Sequence, residues 1–299
     1  MEVIALFDGD IIAYRAGFAA EKSYYYDVRQ PPDEGGTVWP YKAEVPLDFP
    51  REYLGKGRNL EPLEHALQNA KSLINNAMED IRHYFAETNP QEAIDLQYRT
   101  FISGNKEKAN FRKEVDKNYK GNRDPSHKPT YLPELHEYLL DHHNAYATEG
   151  CEADDFFGHA CKDAKKENKS AVIVSVDKDL KQIEGLHYNP VKQIFHHVTD
   201  IEAEAFFWRQ MLQGDSADNI IGISGIGEKK AARYIPNGTT NEKAKEFVIK
   251  YYKKEFKNWK ERFNKNADLL WIWRTIPDEC PFKVQEGAEG FDSPVQQLL

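Results

Sequence analysis

The stretch Met211-Leu212-Gln213-Gly214-Asp215-Ser216-Ala217-Asp218-Asn219-Ile220-Ile221-Gly222-Ile223-Ser224-Gly225-Ile226-Gly227-Glu228-Lys229-Lys230-Ala231-Ala232-Arg233-Tyr234-Ile235 decides how the rest of the chain is read. Asp215 and Asp218 stand three residues apart. On a helical turn that spacing puts both carboxylates on one face, where they can share a cation. Gly222, Gly225 and Gly227 then punctuate the segment before Glu228-Lys229-Lys230. Glycines allow a tight turn with exposed backbone N–H groups, and such a turn running into a helix N-terminus receives phosphate. One segment joins a candidate metal site to a candidate grip on a nucleic-acid backbone. The plain alternative is an acidic turn beside an ordinary helix–turn–helix corner.

Working outward, 299 residues allow one large α/β domain or two small ones. Hydrophobic residues at 40% and charged residues at 30% suit a soluble globular chain. No apolar run approaches the ~18 residues of a membrane span, so no membrane partner is expected. Met1-Glu2-Val3-Ile4-Ala5 lacks the basic start and long apolar core of a secretory signal. Cys151, Cys161 and Cys280 form no C-x-x-C pair and read as free thiols in a reducing cytoplasm. His142-His143 and His196-His197 lack zinc-ligand spacing.

The net charge of −9 argues superficially against nucleic acid, but the charge is unevenly spread. Residues 106–128 carry eight Lys or Arg against four Asp or Glu, and residues 242–265 carry nine against four. An enzyme that collects carboxylates for metals and holds phosphates beside them has this pattern.

Val3-Ile4-Ala5-Leu6-Phe7 is a short continuous apolar run, as for a buried parallel strand, and it ends in Asp8-Gly9-Asp10. A carboxylate at the end of a central strand lies where open α/β sheets place their ligands. Residues 11–20 read as a helix. Residues 21–60, rich in Tyr, Pro and Gly, read as an insertion with a short hairpin and no assigned task. A three- and four-residue apolar repeat from Leu60 to Tyr84 predicts a long amphipathic helix. Residues 96–103 predict a strand, 132–143 a helix and 144–148 a strand. Glu152-Ala153-Asp154-Asp155 opens another helix, where acidic residues also suit the dipole. Ala171-Val172-Ile173-Val174-Ser175-Val176 is the most β-prone run and ends in Asp177-Lys178-Asp179. Alternation in an extended segment directs those two carboxylates to one side. Thr199 and Glu202 form a capping-box pair for the helix entering the opening stretch. Beyond Ile235, residues 242–263 and 267–276 predict two more helices, and residues 277–299 a tail.

The stretch G-D-S-A-D-N-I-I-G-I-S-G-I-G-E-K-K-A resembles the helix–three-turn–helix signature of the 5′ nuclease (flap endonuclease) superfamily. D-G-D at the first strand, N-F-R-K-E before N-Y-K-G-N-R, and S-V-D-K-D-L-K resemble its phage 5′→3′ exonucleases most. The resemblance covers roughly residues 3–235. It implies an α/β fold: a PIN-like, mainly parallel central sheet flanked by helices, with a C-terminal helical helix–three-turn–helix region. The implied divisions are a catalytic domain at 1–198, with a basic gateway at 105–131, a DNA-binding helical region at 199–276, and a tail at 277–299.

The resemblance also implies roles. Asp8, Glu152 and Asp154 group around a first metal; Asp177, Asp179, Asp215 and Asp218 hold a second, with Asp155 between them. Oxygen-only donors select a hard ion, so two Mg²⁺ are implied, with Mn²⁺ as substitute, and a K⁺ at the glycine turn. Two such ions activate a water and stabilise the leaving oxygen of an in-line phosphoryl displacement. Lys120 and Arg123 neutralise the scissile phosphate, and Tyr14 stacks on an unpaired base. Arg112, Gly222, Gly225, Gly227, Lys229 and Lys230 contact DNA. One departure stands out: the family places another Asp after the second strand, whereas this chain reads Ser103-Gly104-Asn105, which makes Asn105 the implied ligand.

The implied protein is a monomeric cytoplasmic 5′→3′ exodeoxyribonuclease, in the host cytoplasm if phage-encoded. Its partners are duplex DNA with a 5′ end, nick, gap or flap, and RNA/DNA hybrids. The rival readings are a flap endonuclease, a non-catalytic DNA-binding relative and an RNA-directed PIN nuclease.

Overall fold

The computed structural model describes residues 1–104, 110–124 and 127–284. Asn105, expected as a ligand, lies outside them. The apolar run at the N-terminus forms β1 (Glu2–Asp8), buried from Val3 onward, and α1 (Gly9–Ala19) follows directly. The chain continues through β2 (Glu21–Asp27), β3 (Val38–Trp39), β4 (Leu54–Leu60), α2 (Leu63–Thr88) and β5 (Asp95–Ile102). Next come α3 (Phe111–Val115), α4 (Leu132–His142), β6 (Ala145–Ala147), α5 (Asp154–Lys166) and β7 (Ser170–Val174). A hairpin of β8 (Gly185–Asn189) and β9 (Ile194–Val198) leads into α6 (Asp200–Gln213). The chain then forms a minimal hairpin, β10 (Gly214–Asp215) and β11 (Ile220–Ile221), followed by α7 (Glu228–Tyr234), α8 (Asn241–Glu255) and α9 (Trp259–Leu270).

The main sheet has the order β6-β5-β1-β7-β8-β9, parallel throughout except for β8 against β9. From β1 the chain builds outward on one side through β5 and β6, then returns to the other side at β7. That reversal opens a crevice beyond the C-terminal ends of β1, β5 and β7, where open α/β sheets bind ligands. Asp8, the last residue of β1, stands at its edge.

Small residues set the layers. Ala66, Ala70, Ile74, Ala77, Ile81 and Phe85 form the buried stripe of α2 and join Ala13 and Ala16 of α1 in one hydrophobic cluster with β1. Alanine at these positions lets the helices approach closely. Leu60, expected to begin this stripe, lies in β4 and is exposed. A second cluster, built around Phe157, Leu6 and Ile173, packs α5 on the opposite face. A third gathers α6 to α9 around Trp208, Phe207, Tyr252 and Phe263. Thr199 and Glu202 make the reciprocal capping box expected of α6. Among the described residues no helix is long and apolar enough to cross a membrane.

Three local expectations need correction. The single helix expected over 242–263 breaks at Phe256, whose backbone is extended, so α8 and α9 pack on each other through Tyr252 and Phe263. The helix expected over 267–276 does not form: α9 stops at Leu270, and Trp271 is extended to carry its ring onto Phe207. The β8–β9 hairpin was not anticipated. Residues 21–60 hold more than a hairpin: β2, β3 and β4 make a separate antiparallel sheet in the order β3-β2-β4.

Candidate metal and phosphate site

Asp8 serves two local purposes at the crevice. Its Oδ1 accepts the Ile11 N–H at 3.1 Å, capping α1, and its Oδ2 accepts the Ser175 hydroxyl at 2.8 Å. Burial pushes this carboxyl up to about 7, and the charges of Asp10 and Asp177 add to the shift. Asp154, the first residue of α5, is raised well above the ordinary range by burial and by repulsion from Asp177, Asp8 and Glu152. These carboxylates therefore share one small, poorly hydrated space.

Beyond β7 the chain does not continue as a strand. The Asp177 N–H donates to the Ser175 hydroxyl at 2.9 Å, and Asp177 Oδ1 accepts the Asp179 N–H at 2.8 Å. This side-chain turn, which runs into a short 3₁₀ segment at Asp179–Gln182, replaces the expected alternation. Asp179 Oδ1 accepts from Gln210 of α6 at 2.9 Å. Burial, with Asp177 and Asp215 nearby, lifts the Asp179 carboxyl to about 7. Asp215 and Asp218 likewise sit in a hairpin turn and not on a helix. Asp215 Oδ1 accepts the Ala217 N–H at 2.8 Å, and its Oδ2 takes Lys178 at 3.2 Å.

The cations come from the Tyr119-Lys120-Gly121-Asn122-Arg123 loop, which folds onto this hairpin. Lys120 has φ +54°, its N–H donates to the Asp218 carbonyl at 3.0 Å, and Asn122 donates to the Ser216 carbonyl at 2.7 Å. Arg123 meets Asp218 Oδ1 at 2.6 Å; Lys120 reaches Glu152 and lies 3.7 Å from Asp218. The buried Tyr119 hydroxyl bridges Glu152 at 3.0 Å and Asp218 at 2.9 Å. Burial works against the Glu152 charge, but Lys120 and Arg112 outweigh it and hold this carboxyl below its usual range. Tyr14 borders the same group: Asp10, Arg123 and Lys120 all act on its hydroxyl, which burial raises.

Arg112 and Asp155 leave the expected arrangement. Their side chains are 3% and 0% exposed and form a two-pronged pair at 2.6 and 2.8 Å. Arg112 also donates to the carbonyls of Leu269 at 2.9 Å and Trp271 at 2.8 Å. Asp155 accepts the Glu152 N–H at 3.0 Å as well. A buried arginine with these partners cannot reach a DNA backbone, and Asp155 has no oxygen left for a cation. The pair ties α3 and α5 to the end of α9.

The glycine turn is built as its sequence suggests. Gly225 has φ +71°, which favours glycine, and Gly222 lies so close to the Gln213–Gly214 backbone that any side chain would clash. Gly227 precedes α7, Lys229 is exposed, and Lys230 folds back on the Gly225 carbonyl at 2.7 Å. Four residues at the site were not singled out as site groups: Asp10, Tyr119, Ser175 and Lys178. Asp10 was visible in D-G-D; it accepts the Ser103 N–H at 3.0 Å and faces His136 at 3.1 Å.

The donor set suits a hard divalent cation: oxygen ligands, several of them raised by burial and by neighbouring carboxylates, whose repulsion a cation would relieve. Among the described residues no three His, Cys, Asp or Glu side chains already stand in ligating geometry. Their oxygens are engaged by Lys120, Arg123, Tyr119 and backbone N–H groups, which a cation must displace.

Acidic groups at the switch point of a parallel sheet, faced by a basic loop and joined to a glycine turn, define an α/β protein equipped to hold charged ligands. Residues 59–207 match the family model described as 5′-3′ exonuclease, N-terminal resolvase-like domain. The chain belongs to this 5′–3′ exonuclease family. DNA polymerase I of Bacillus subtilis is 31% identical over 195 residues, covering 59% of this chain and 22% of that one. The chain thus spans about a fifth of that relative's length. A 5′-3′ exonuclease of Mycoplasmopsis pulmonis is 28% identical over 205 residues, 62% of this chain and 67% of its own. Among solved structures, a T5 protein co-crystallised with metal ions aligns with TM-score 0.51 at 16% identity, covering 90% of this chain and 89% of the other. That likeness concerns the fold.

Proposed function

We propose that this protein is a divalent-metal-dependent 5′→3′ exodeoxyribonuclease that releases 5′-phosphate nucleotides from duplex DNA, and that it also hydrolyses the RNA of RNA/DNA hybrids. The observation that carries the reading is the placing of buried carboxylates beside Asp177: Asp8 and Asp154 on one side, and Asp179 with Asp215 on the other. Asp8, Asp154 and Asp179 are each raised chiefly by burial and further by these neighbours. A fold keeps such groups together at a ligand crevice when a cation offsets their charge.

Asp8, Glu152 and Asp154 would hold one Mg²⁺, and Asp177, Asp179, Asp215 and Asp218 a second, with Mn²⁺ as substitute. Bound there, the ions supply Lewis acidity and charge neutralisation for phosphoryl transfer. The protein's own groups do the rest. Lys120 and Arg123, now paired with Glu152 and Asp218, turn to the scissile phosphate when metal takes over the carboxylates. Tyr14, beside them, stacks on the terminal unpaired base. The glycine turn with Lys229 holds the duplex backbone away from the cut.

Product analysis on 5′-labelled duplex, nicked and flapped DNA with Mg²⁺ and with EDTA tests this. Mononucleotides released from the 5′ end only with Mg²⁺ are expected. Flaps released whole would make the protein a flap endonuclease, and binding without cleavage in Mg²⁺ or Mn²⁺ would make it a non-catalytic relative.

A further inference from the structure

Residues 21–60 lie almost wholly outside the matched family region, which starts at residue 59, and no task has been assigned to them. Their small sheet is rooted beside the candidate site. Only Ala20 separates α1 from β2, and the Glu61 N–H donates to the Ala20 carbonyl at 2.9 Å. Arg58 of β4 donates to Glu21 at 3.0 Å and to the Lys128 carbonyl at 2.8 Å, and Glu21 accepts the Thr130 N–H. The sheet is thereby clamped to the stretch that follows Lys120 and Arg123.

Its two faces differ. Register pairs Tyr25 with Trp39 and Lys56 on one face, and there Trp39 packs edge-on against Phe49 at 5.1 Å. The opposite face carries Lys22, Tyr24, Tyr26 and Val38 facing Asn59, Gly57 and Gly55, without a carboxylate on any of the three strands. Lys22 on this face is paired with Glu61 at 2.6 Å. Gly57 and Gly55 are needed beneath the rings: a Cβ at either would fall within 2.2 Å of Tyr24 or 2.6 Å of Tyr26. The rings therefore lie down on bare backbone, 6.0 Å apart, and neither joins any of the three hydrophobic clusters.

On the site side, Tyr14 and Phe18 stand one turn apart on α1 with centroids 6.1 Å apart, and Phe18 is 42% exposed. We infer that Tyr24 and Tyr26, half-buried over the two glycines, form a stacking ledge for an unpaired nucleic-acid strand. The inference rests on the nuclease reading above. Flat rings suit unpaired bases, which stack without regard to sequence, whereas the bases inside a duplex are stacked on one another and offer no open face. The ledge would engage single-stranded 5′ overhangs or flaps and add nothing on blunt ends.

The test is fluorescence anisotropy in EDTA, where no cleavage occurs, comparing blunt duplex with the same duplex carrying a ten-nucleotide 5′ oligo-dT overhang. In Tyr24→Leu/Tyr26→Leu the glycines stay covered but the aromatic faces are gone; Tyr24→Phe/Tyr26→Phe keeps them. The Leu pair is expected to lose about tenfold or more in overhang affinity, in line with stacking losses of ~1–3 kcal/mol per base. It should bind blunt duplex as the wild type does, and the Phe pair should bind both normally. Unchanged overhang affinity in the Leu pair, or an equal loss on blunt duplex, overturns the ledge while leaving the nuclease reading intact. A wild-type protein that binds neither DNA overturns both.

Discussion

Replacing Arg112 separates a structural arginine from a DNA contact. The guanidinium makes two short bonds to Asp155 and one each to two carbonyls at the end of α9. Burial works against its charge, yet Asp155 and Glu152 hold the guanidinium protonated more firmly than usual. Arg112→Ala strands the Asp155 carboxylate, 0% exposed, with only backbone donors such as Glu152 N–H. Breaking a buried pair from one side costs about 3–5 kcal/mol, a large share of the ~5–15 kcal/mol that holds a typical domain folded. Arg112→Lys keeps the charge but cannot fork, and should lose about 2–3 kcal/mol. Arg112→Met/Asp155→Asn removes both charges with little change of volume and should recover part of the loss, the carbonyls of Leu269 and Trp271 still lacking their donor. Equilibrium urea unfolding of the four proteins reads these differences. DNA affinity of Arg112→Lys, measured well below its melting point, should match wild type. If Arg112→Ala unfolds at the wild-type urea concentration but binds DNA poorly, the guanidinium faces the backbone and the assignment is wrong.

Two further outcomes follow from the same structure. Lys229→Ala/Lys230→Ala should weaken duplex binding and shallow its salt dependence by about one counterion per lost contact, with single-turnover cleavage preserved at saturating DNA; a collapse of that rate would place these lysines at the chemistry. His187, buried against the Ile183 carbonyl at 2.9 Å and stacked on His196, is depressed by burial to about 4 from an ordinary 6.5. The unfolded chain therefore binds this proton first, so stability falls as pH drops from 6.5 towards 4, by about 2 kcal/mol at pH 5. His187→Gln should lose correspondingly less between pH 7.5 and 5, and parallel losses in the two proteins would clear His187 of the effect.

What the sequence made legible follows from what each signal physically encodes. Continuous apolar runs and three-to-four-residue repeats report burial, so β1, β7 and α2 were readable within a few residues of their ends. The carboxylates were readable as a set because strand ends and helix starts converge at one edge of a parallel sheet. Their local geometry was not. Asp177 and Asp215 bend their own backbones through side-chain turns, and a spacing rule for strands or helices has no term for that competition. Arg112 and Asp155 misled for a related reason: a basic residue in a basic stretch and an acid in an acidic motif look like ligand-binding groups. Only the fold reveals that these two residues, 43 positions apart in sequence, are buried against each other. The break at Phe256 hides because Lys and Glu continue the helical pattern across it, while the driving force is the long-range packing of Tyr252 on Phe263.

The same distinction between composition and placement bears on the proposed function, which asks a chain of net charge −9 to hold a polyanion. Asp218 and Glu152 spend their charge on Arg123, Lys120 and the Tyr119 hydroxyl. Those cations are therefore kept in place beside the crevice, where a free lysine would sample many rotamers. A divalent ion binding Glu152 would weaken the hold on Lys120 while making the crevice less negative. On the proposed function, phosphate would then meet cations that need only turn from a neighbouring carboxylate, and part of the entropy of ordering them has been met in the folding of the Tyr119–Arg123 loop onto the Asp215–Asp218 hairpin. On this argument the acidic residues are the means by which the basic ones are presented, and the overall charge of the chain carries little information about its partner.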